Sequence, residues 1–91
     1  MKPIRFRARA IENINAQTAY LLDHAAHIVS PLKEDIRKTL SLIREFPEAG
    51  HAGDVHGTRE IISIKFRYIV VYVVHKEWLE VLRFYFRGQE R

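Results

Sequence analysis

Cationic side chains in the second half of the chain are the residues best suited to chemistry or to binding. A nuclease that works without a metal ion needs cations and a proton-transfer group around the scissile phosphate. Cations alone are enough to hold a phosphate or an acidic protein surface. Their arrangement along the sequence does not indicate catalysis, which favours binding. The candidate contact residues, one aromatic side chain among them, are Arg59, Lys65, Arg67, Arg83, Tyr85, Arg87 and Arg91.

Three of these candidates have alternative roles that the sequence leaves open. Arg83 stands between apolar neighbours, and an arginine that faces away from the core on a central strand has little structural purpose. Arg59 is instead placed to pair with a helix carboxylate, such as Glu34 or Glu45. Tyr85 either anchors a partner or shields an edge of the sheet.

Histidines and glycines provide the other local signals of chemistry. His24 and His27 are three positions apart, and His51 and His56 flank Asp54, spacings that are compatible with metal ligation. The chain has no Cys and no tight ligand motif, so we expect exposed histidines and neither a metal nor another cofactor. The loop glycines do not lead from a strand into a helix, which a phosphate-cradling loop requires. We expect them to turn the backbone.

The composition sets the size and the charge of the protein. A chain of 91 residues with 47% hydrophobic side chains buries one modest core, so we expect a single domain over residues 1–91. A domain this small gains stability from a partner. The 15 Lys and Arg against 11 acids give a net charge of +4, which favours nucleic acid, an anionic lipid face or an acidic protein segment. The sequence shows no signal peptide and no run long enough to span a membrane, so we expect a cytoplasmic protein without a membrane partner.

Hydrophobic periodicity predicts the elements that position these residues. Alternation at residues 4–7 predicts a short strand. Ser30-Pro31 predicts the N-cap and first position of a helix that ends at Phe46-Pro47, and residues 47–57 form one long loop. An earlier segment, N-terminal to Ser30, has an apolar period of 3.6 residues, which predicts another helix. Its predicted apolar face holds Ile11, Ile14, Thr18, Leu21, Leu22 and Ala25, opposite Arg9, Glu12, Asn13, Gln17 and Asp23.

From residue 59 onward the apolar period changes to two, and the composition becomes β-branched and aromatic. This predicts three consecutive antiparallel strands near residues 59–64, 68–74 and 78–86. On the last strand, Leu82, Phe84 and Phe86 are predicted to share one face, and Val81, Arg83, Tyr85 and Arg87 the other. The predicted fold is therefore α+β in the order β-α-α-β-β-β, a helical hairpin packed on a small, mainly antiparallel twisted sheet.

Four motifs along the chain resemble those of the ParE/RelE superfamily of toxins. Residues 46–51, FPEAGH, resemble its F-P-x-x-G-R/H signature, and residues 57–61, GTREI, its G-x-R-E-L/I strand entry. Residues 68–72, YIVVY, are similar to its Y-x-I/V-V/L-Y strand, and residues 81–85, VLRFY, to its V/I-L-R-V-Y/L strand. Each motif is weak alone. Together, at the family's spacing, they cover nearly the whole chain and identify it as a member closer to ParE.

The resemblance implies the toxin of a type II toxin–antitoxin system, of the kind linked to plasmid stabilisation, neutralised by a cognate antitoxin in a heterocomplex. RelE-like members cleave mRNA on the ribosome, using basic side chains on the sheet to stabilise a phosphodiester attacked by its own 2′-OH. ParE-like members do no chemistry and instead bind DNA gyrase, trapping it on cleaved DNA.

Residues at the nuclease positions favour the gyrase-binding branch. RelE-like members carry lysines on the second strand and an arginine after the first Tyr of the next one. The resemblance aligns these positions with Glu60, Ile62 and Ile69, which cannot stabilise a pentavalent phosphorane. We therefore expect a gyrase inhibitor that is not an enzyme, with a ribosome-dependent mRNA interferase as the alternative.

Two further points bear on this choice. The His that commonly follows the last strand of ParE is Phe86 here, and His75 lies in a turn, which argues against His-dependent chemistry more than against binding. A second alternative is a degenerate, non-toxic interaction module that binds DNA or a protein. The second helix mixes basic with acidic side chains and so lacks the basic recognition face that DNA binding by a helix requires.

Overall fold

The computed structural model describes residues 1–86, which form two helices packed on one face of a five-stranded mixed sheet. The helices are α1, Ala8–His24, and α2, Val29–Glu45, joined by one 3₁₀ turn at Ala26–Ile28. The strands are β1, Ile4–Phe6; β2, His51–Ala52; β3, Arg59–Ser63; β4, Tyr68–Val74; and β5, Leu79–Tyr85. The predicted α+β class and the order of the helices and longer strands are confirmed. The two-residue strand β2 is an addition.

The first and last strands are neighbours in the sheet, whose order is β1-β5-β4-β3-β2. Strand β1 runs parallel to β5, with Ile4 opposite Leu79 and Phe6 opposite Val81. The pairs β2–β3, β3–β4 and β4–β5 are antiparallel. A parallel pair requires a long crossover, and the chain between β1 and β5 provides one. Arg7, at the end of β1, therefore lies beside β5.

The core lies between the helices and one face of the sheet, here called the helix face. Period-two alternation places every second side chain of β4 on this face. Fully burying one large apolar side chain stabilises a fold by about 1.5–3 kcal/mol, so this shared core holds the helices on the sheet. Its members are Ala10 and Leu21 of α1, Leu32, Ile36 and Ile43 of α2, Tyr68, Val70 and Tyr72 of β4, Leu79, Val81 and Phe84 of β5, and Phe86.

A bulge in β5 changes which side chains face the core. Val71 pairs with Arg83 and Tyr72 pairs with Val81, which leaves Leu82 as an extra residue. One extra residue reverses the alternation of a strand. Val81 is therefore buried on the same face as Phe84, while Leu82 is half-buried. The prediction that Leu82 shares a face with Phe84, and that Val81 shares one with Arg83, was wrong.

The buried stripe of α1 is rotated from its predicted position. Ala10 and Leu21 are buried, whereas Ile11 is 44% exposed and Leu22 is 60% exposed. Asn13, predicted on the polar face, is half-buried and contacts β5. The helix lies along β5, so its contact stripe is centred beside Ala10 and Asn13. The predicted positions of Ile11, Leu22 and Asn13 were therefore wrong.

The second helix begins earlier than Ser30-Pro31 predicted. The 3₁₀ turn leads directly into α2, because the backbone N–H of Val29 bonds to the carbonyl of Ala26. Ser30 therefore lies inside the first turn and does not cap the helix. Pro31 is tolerated there because the first N–H groups of a helix have no intrahelical partner. The predicted end of the helix at Phe46 is confirmed.

Polar contacts fix α2 and the following loop on the sheet. The carboxylate of Asp35 accepts hydrogen bonds from Ser63 Oγ at 2.6 Å and from the Tyr68 hydroxyl at 2.8 Å. Burial is the main cause that raises the pKa of Tyr68 above its ordinary value. The hydroxyl therefore stays protonated and able to donate.

The loop after α2 is held by Tyr72. Its hydroxyl donates to the carbonyl of Pro47 at 2.8 Å and accepts from the backbone N–H of Gly50 at 2.9 Å. A Cβ on Gly50 would lie 2.7 Å from this hydroxyl oxygen and 2.8 Å from the carbonyl oxygen of Glu60. Gly50 therefore permits a close approach that places β2 beside β3.

Candidate functional site

The face of the sheet opposite the helices, here called the outer face, is formed mainly by β3, β4 and β5. The register of β3, β4 and β5 determines which side chains share it. It combines aliphatic side chains in its middle with charged and aromatic ones around them. Its members are Glu60 and Ile62 of β3, Ile69, Val71 and Val73 of β4, and Glu80, Arg83 and Tyr85 of β5.

Arg83 and Tyr85 lie side by side on the outer face. The guanidinium carbon of Arg83 is 4.7 Å from the centre of the Tyr85 ring. Arg83 Nε donates to Oδ1 of Asn13 at 3.3 Å, and the same oxygen accepts from the backbone N–H of Phe84 at 3.1 Å. Asn13 thus holds Arg83 from α1 and satisfies a backbone donor at the edge of β5. Sequence reasoning missed this contact because the helical period predicts Asn13 in solvent.

The β3–β4 turn presents Lys65 and Arg67 at the same end of the sheet as Tyr85. Tyr85 pairs with Ile69, two positions after Arg67. The backbone N–H of Arg67 closes the turn, and this residue has a φ of +55°, which is uncommon for a residue with a Cβ. Ile64, next to Lys65, is 89% exposed. The turn therefore combines an exposed aliphatic side chain with two cations.

Arg59 lies away from this group. It begins β3 opposite Tyr72, on the helix face. Together with Glu48 it lines a separate cavity of about 220 Å³. Within residues 1–86, Arg59 forms no ion pair with Glu34 or Glu45, so the predicted internal pairing with these carboxylates was wrong.

Four of the seven predicted contact residues are thus brought towards one end of the sheet: Lys65, Arg67, Arg83 and Tyr85. Arg59 stands apart at the other end of β3. The remaining two, Arg87 and Arg91, lie outside the described residues.

The three positions aligned with nuclease cations lie together on the outer face. Ile62 pairs directly with Ile69, and Ile62 is 53% exposed. Glu60 is buried and pairs with His51 of β2, whose Nε2 lies 3.8 Å from its Oε1. We call Ile62 and Ile69 the apolar strip. It presents no cation at any of these positions.

A polar network that sequence reasoning missed joins β1 to the β4–β5 turn. The carboxylate of Glu80 accepts from Arg7 Nε at 2.6 Å and lies 2.9 Å from His75 Nε2. The hydrogen bonds with His75 and Arg7 lower the pKa of Glu80. Arg5 lies over the ring of Trp78, 4.7 Å from its centre. These contacts fasten the N-terminal segment to β5.

Three arginines meet at the junction of α1 and β5, where Arg7, Arg9 and Arg83 line a cavity of about 450 Å³ with Ala8 and Leu82. We call it the arginine cleft. Sequence reasoning considered Arg83 alone. No local spacing indicates the cleft, because only the parallel pairing of β1 with β5 brings the two ends of the chain together.

Comparison of the sequence with models of known protein families establishes the family of this chain. The family model described as the ParE toxin of the type II toxin–antitoxin system, parDE, matches residues 4–90. The chain belongs to the ParE toxin family. The resemblance indicated by the four motifs is therefore confirmed.

Solved structures share the fold of this ParE-family toxin. A chain of the chromosomal ParDE toxin–antitoxin system from P. aeruginosa has a TM-score of 0.80 and 16% identity, covering 94% of this chain and 96% of its own. A chain of the intact E. coli RelBE toxin–antitoxin complex has a TM-score of 0.68 and 20% identity, with 100% of both chains covered. No curated protein matches the sequence. At these identities the structures establish the fold.

In the ParE-family toxin, the bulge and Asn13 determine how β5 presents Arg83. The bulge at Leu82 leaves Arg83 on the outer face, and Asn13 ties its Nε to α1.

No helix among residues 1–86 is long and apolar enough to span a membrane.

Proposed function

We propose that this ParE-family toxin inhibits growth by binding DNA gyrase and does not cut RNA. The observation that carries the proposal is the apolar strip. At the place where a nuclease of this superfamily has cations, Ile62 and Ile69 pair across β3 and β4. Electrostatic stabilisation of the transition state is usually the largest contribution to catalysis of this kind, and aliphatic side chains do not supply it.

The same surface is well suited to protein binding. Interfaces combine an apolar centre with a polar rim, and Tyr and Arg are enriched among the residues that carry most of the binding energy. Here the apolar strip is the centre, and Arg83 stacked on Tyr85 is the anchor. Lys65 and Arg67 form part of the rim at the β3–β4 turn. A net charge of +4 favours an acidic partner surface.

One observation favours mRNA cleavage as a second candidate. His51 lies beside Glu60 on the same face, and a histidine near a carboxylate is a usual proton-transfer group. The apolar strip beside His51 supplies no cation, so His51 would transfer a proton without a positive charge there to stabilise the transition state. The two functions make different predictions for His51→Ala.

A gyrase assay and a translation assay in parallel test the choice. The full chain should inhibit supercoiling by purified gyrase and trap cleaved DNA, and it should leave mRNA intact in a translating extract. Arg83→Glu should abolish trapping, whereas Lys38→Glu, an equal charge change on the exposed side of α2, should preserve it. His51→Ala should remain active. Ribosome-dependent mRNA cuts that disappear in His51→Ala would establish the nuclease and refute gyrase binding.

We also propose that a cognate antitoxin neutralises this chain. The solved relatives named above come from toxin–antitoxin systems. A partner that binds only the folded state stabilises it by mass action, by about 2.7 kcal/mol at a concentration of 100 times Kd. We expect the antitoxin to be encoded beside the gene of this chain, and addition of that protein should therefore raise the Tm of the toxin. An unchanged Tm at saturating concentration would refute the pairing.

A further inference from the structure

We propose that the arginine cleft binds a phosphodiester group of the DNA backbone. The proposed function assigns gyrase as the target but gives the toxin itself no contact with DNA. The choice of DNA as the nucleic acid rests on that function, because gyrase holds DNA while it acts. The cleft would place the toxin against protein and DNA at once.

The cleft is built by two irregular points of the chain. Strand β1 ends where α1 begins, which places Arg7 and Arg9 on either side of Ala8 at the end of the sheet. The bulge at Leu82 interrupts β5 directly opposite, and bulges commonly redirect side chains near functional sites. Together they form an open cleft of about 450 Å³ that is lined by three arginines.

Most donors of these arginines remain available to a ligand. Arg7 and Arg83 each use Nε for an internal hydrogen bond, to Glu80 and Asn13. Within residues 1–86, no hydrogen bond engages their terminal nitrogens, and Arg9 forms neither a hydrogen bond nor an ion pair. The internal bonds hold two guanidinium groups in place, so less side-chain freedom is lost on binding. Arg9 is exposed and lines the cleft from α1.

A phosphate suits a cleft lined by three arginines better than a carboxylate does. A carboxylate has two oxygens in one plane, and a single arginine satisfies both in a bidentate pair. A backbone phosphate has tetrahedral geometry, and arginine is the side chain most used to recognise it. Among residues 1–86, Ala8 and Leu82 are the only apolar residues that line the cleft. An acidic peptide would therefore find no deep pocket there for an anchoring side chain.

The start of α1 adds to the positive electrostatic potential of the cleft. A helix N-terminus carries a partial positive charge, and the first turn of α1 contains no acidic side chain. The proposal rests on the guanidinium groups and the cavity they line. The removal of one guanidinium group is therefore the decisive test.

Fluorescence anisotropy with a labelled DNA duplex of about 20 base pairs, titrated from about 50 to 200 mM salt, measures the contact. The wild-type chain should bind with a salt-dependent affinity. Arg9→Glu should weaken binding at least tenfold at low salt and reduce the slope of log K against log salt by about 1, as expected for one lost phosphate contact. Arg9→Lys should bind more tightly than Arg9→Glu, because a lysine still contacts a phosphate as a point charge.

Lys38→Glu is the matched control, since it makes the same charge change on α2, away from the cleft. The proposal is overturned if Arg9→Glu and Lys38→Glu lower DNA affinity equally, because binding would then depend on net charge alone. It is also overturned if the wild-type chain fails to bind the duplex at the lowest salt. Arg9-dependent binding of a labelled poly-glutamate peptide, without Arg9-dependent DNA binding, would assign the cleft to an acidic protein segment and refute a DNA contact.

Gyrase assays separate this proposal from the proposed function. If both are correct, Arg9→Glu still binds gyrase in the absence of DNA but traps less cleaved DNA. If the Arg9→Glu variant poisons gyrase as well as the wild-type toxin does, the DNA contact is refuted and gyrase binding stands. A wild-type toxin that does not bind gyrase, but binds the duplex in an Arg9-dependent way, refutes gyrase as the target and leaves the DNA contact intact.

Discussion

Replacing Asn13 with Ala should destabilise the protein by removing the acceptor that α1 offers to β5. Its Oδ1 accepts from the Phe84 N–H at 3.1 Å and from Arg83 Nε at 3.3 Å. A buried donor left without a partner costs about 1–3 kcal/mol. Both contacts are partly buried, so water replaces some of the loss and the expected cost is about 1–1.5 kcal/mol. For a chain of this size the Tm should fall by roughly 5–10 °C.

The same substitution should weaken target binding through Arg83. Without Asn13 the guanidinium is free to leave the Tyr85 ring, and ordering it again on binding costs about 0.5–1.5 kcal/mol. Gyrase affinity should therefore fall roughly 2- to 12-fold. Asn13 acts here as a positioning residue, so the loss should be absent when Asn13→Ala is made in an Arg83→Ala background.

Circular dichroism melts and gyrase-binding titrations check both effects. Asn13→Asp keeps the acceptor oxygen at the same size and should melt close to the wild-type protein. Asn15→Ala removes an exposed amide from the same helix and should not lower the Tm, because Ala is the stronger helix former. If Asn13→Ala melts like Asn15→Ala, the N–H of Phe84 does not depend on Asn13 and the reasoning is wrong.

Three other substitutions test the packing and the polar network. Tyr72→Phe removes the hydroxyl that the backbone N–H of Gly50 and the carbonyl of Pro47 share. Chemical denaturation should show that the free energy of unfolding falls by about 2 kcal/mol, and an unchanged midpoint would contradict this. Gly50→Ala places a Cβ against the carbonyl oxygen of Glu60, and the free energy of unfolding, measured in the same way, should fall by about 1–3 kcal/mol. The lowered pKa of Glu80 means that its contribution to stability is complete above its ordinary pKa and is lost as the pH falls through the lowered value. Glu80→Gln should therefore lower the Tm at neutral pH, and its Tm difference from the wild-type protein should shrink as the pH falls below the ordinary pKa of Glu80. A Tm difference that stays the same throughout the acid range would show that charge is not the cause.

The elements of the fold were predictable because each has a clear period and a clear end. Strand β4 was predicted with its observed bounds, and Phe46 marks the end of α2. The bulge was not predictable from the same pattern. Residues 81, 82, 84 and 86 are all apolar, so either alternation satisfies the sequence, and packing against the helices selects Val81 over Leu82.

The candidate site was predictable in part. The β3–β4 turn and β5 are local features, and they brought together Lys65, Arg67, Arg83 and Tyr85. The arginine cleft and the Glu80 network depend on a pairing between segments that are 73 positions apart. A sequence pattern within one element contains no information about such a contact. Family motifs lie on the individual elements and do not include Arg7 or Arg9.

The parallel pairing of β1 with β5 also affects how the protein is made. Contacts between distant segments carry a loop-closure cost and form late in folding. Strand β1 is made before β5, and it has no strand partner until β5 has been made. Until then α1 lacks its support, and Arg7 and Arg9 lie far from Arg83. A chain that lacks β5 therefore has no arginine cleft, so the toxin acquires this surface only after β5 has been made.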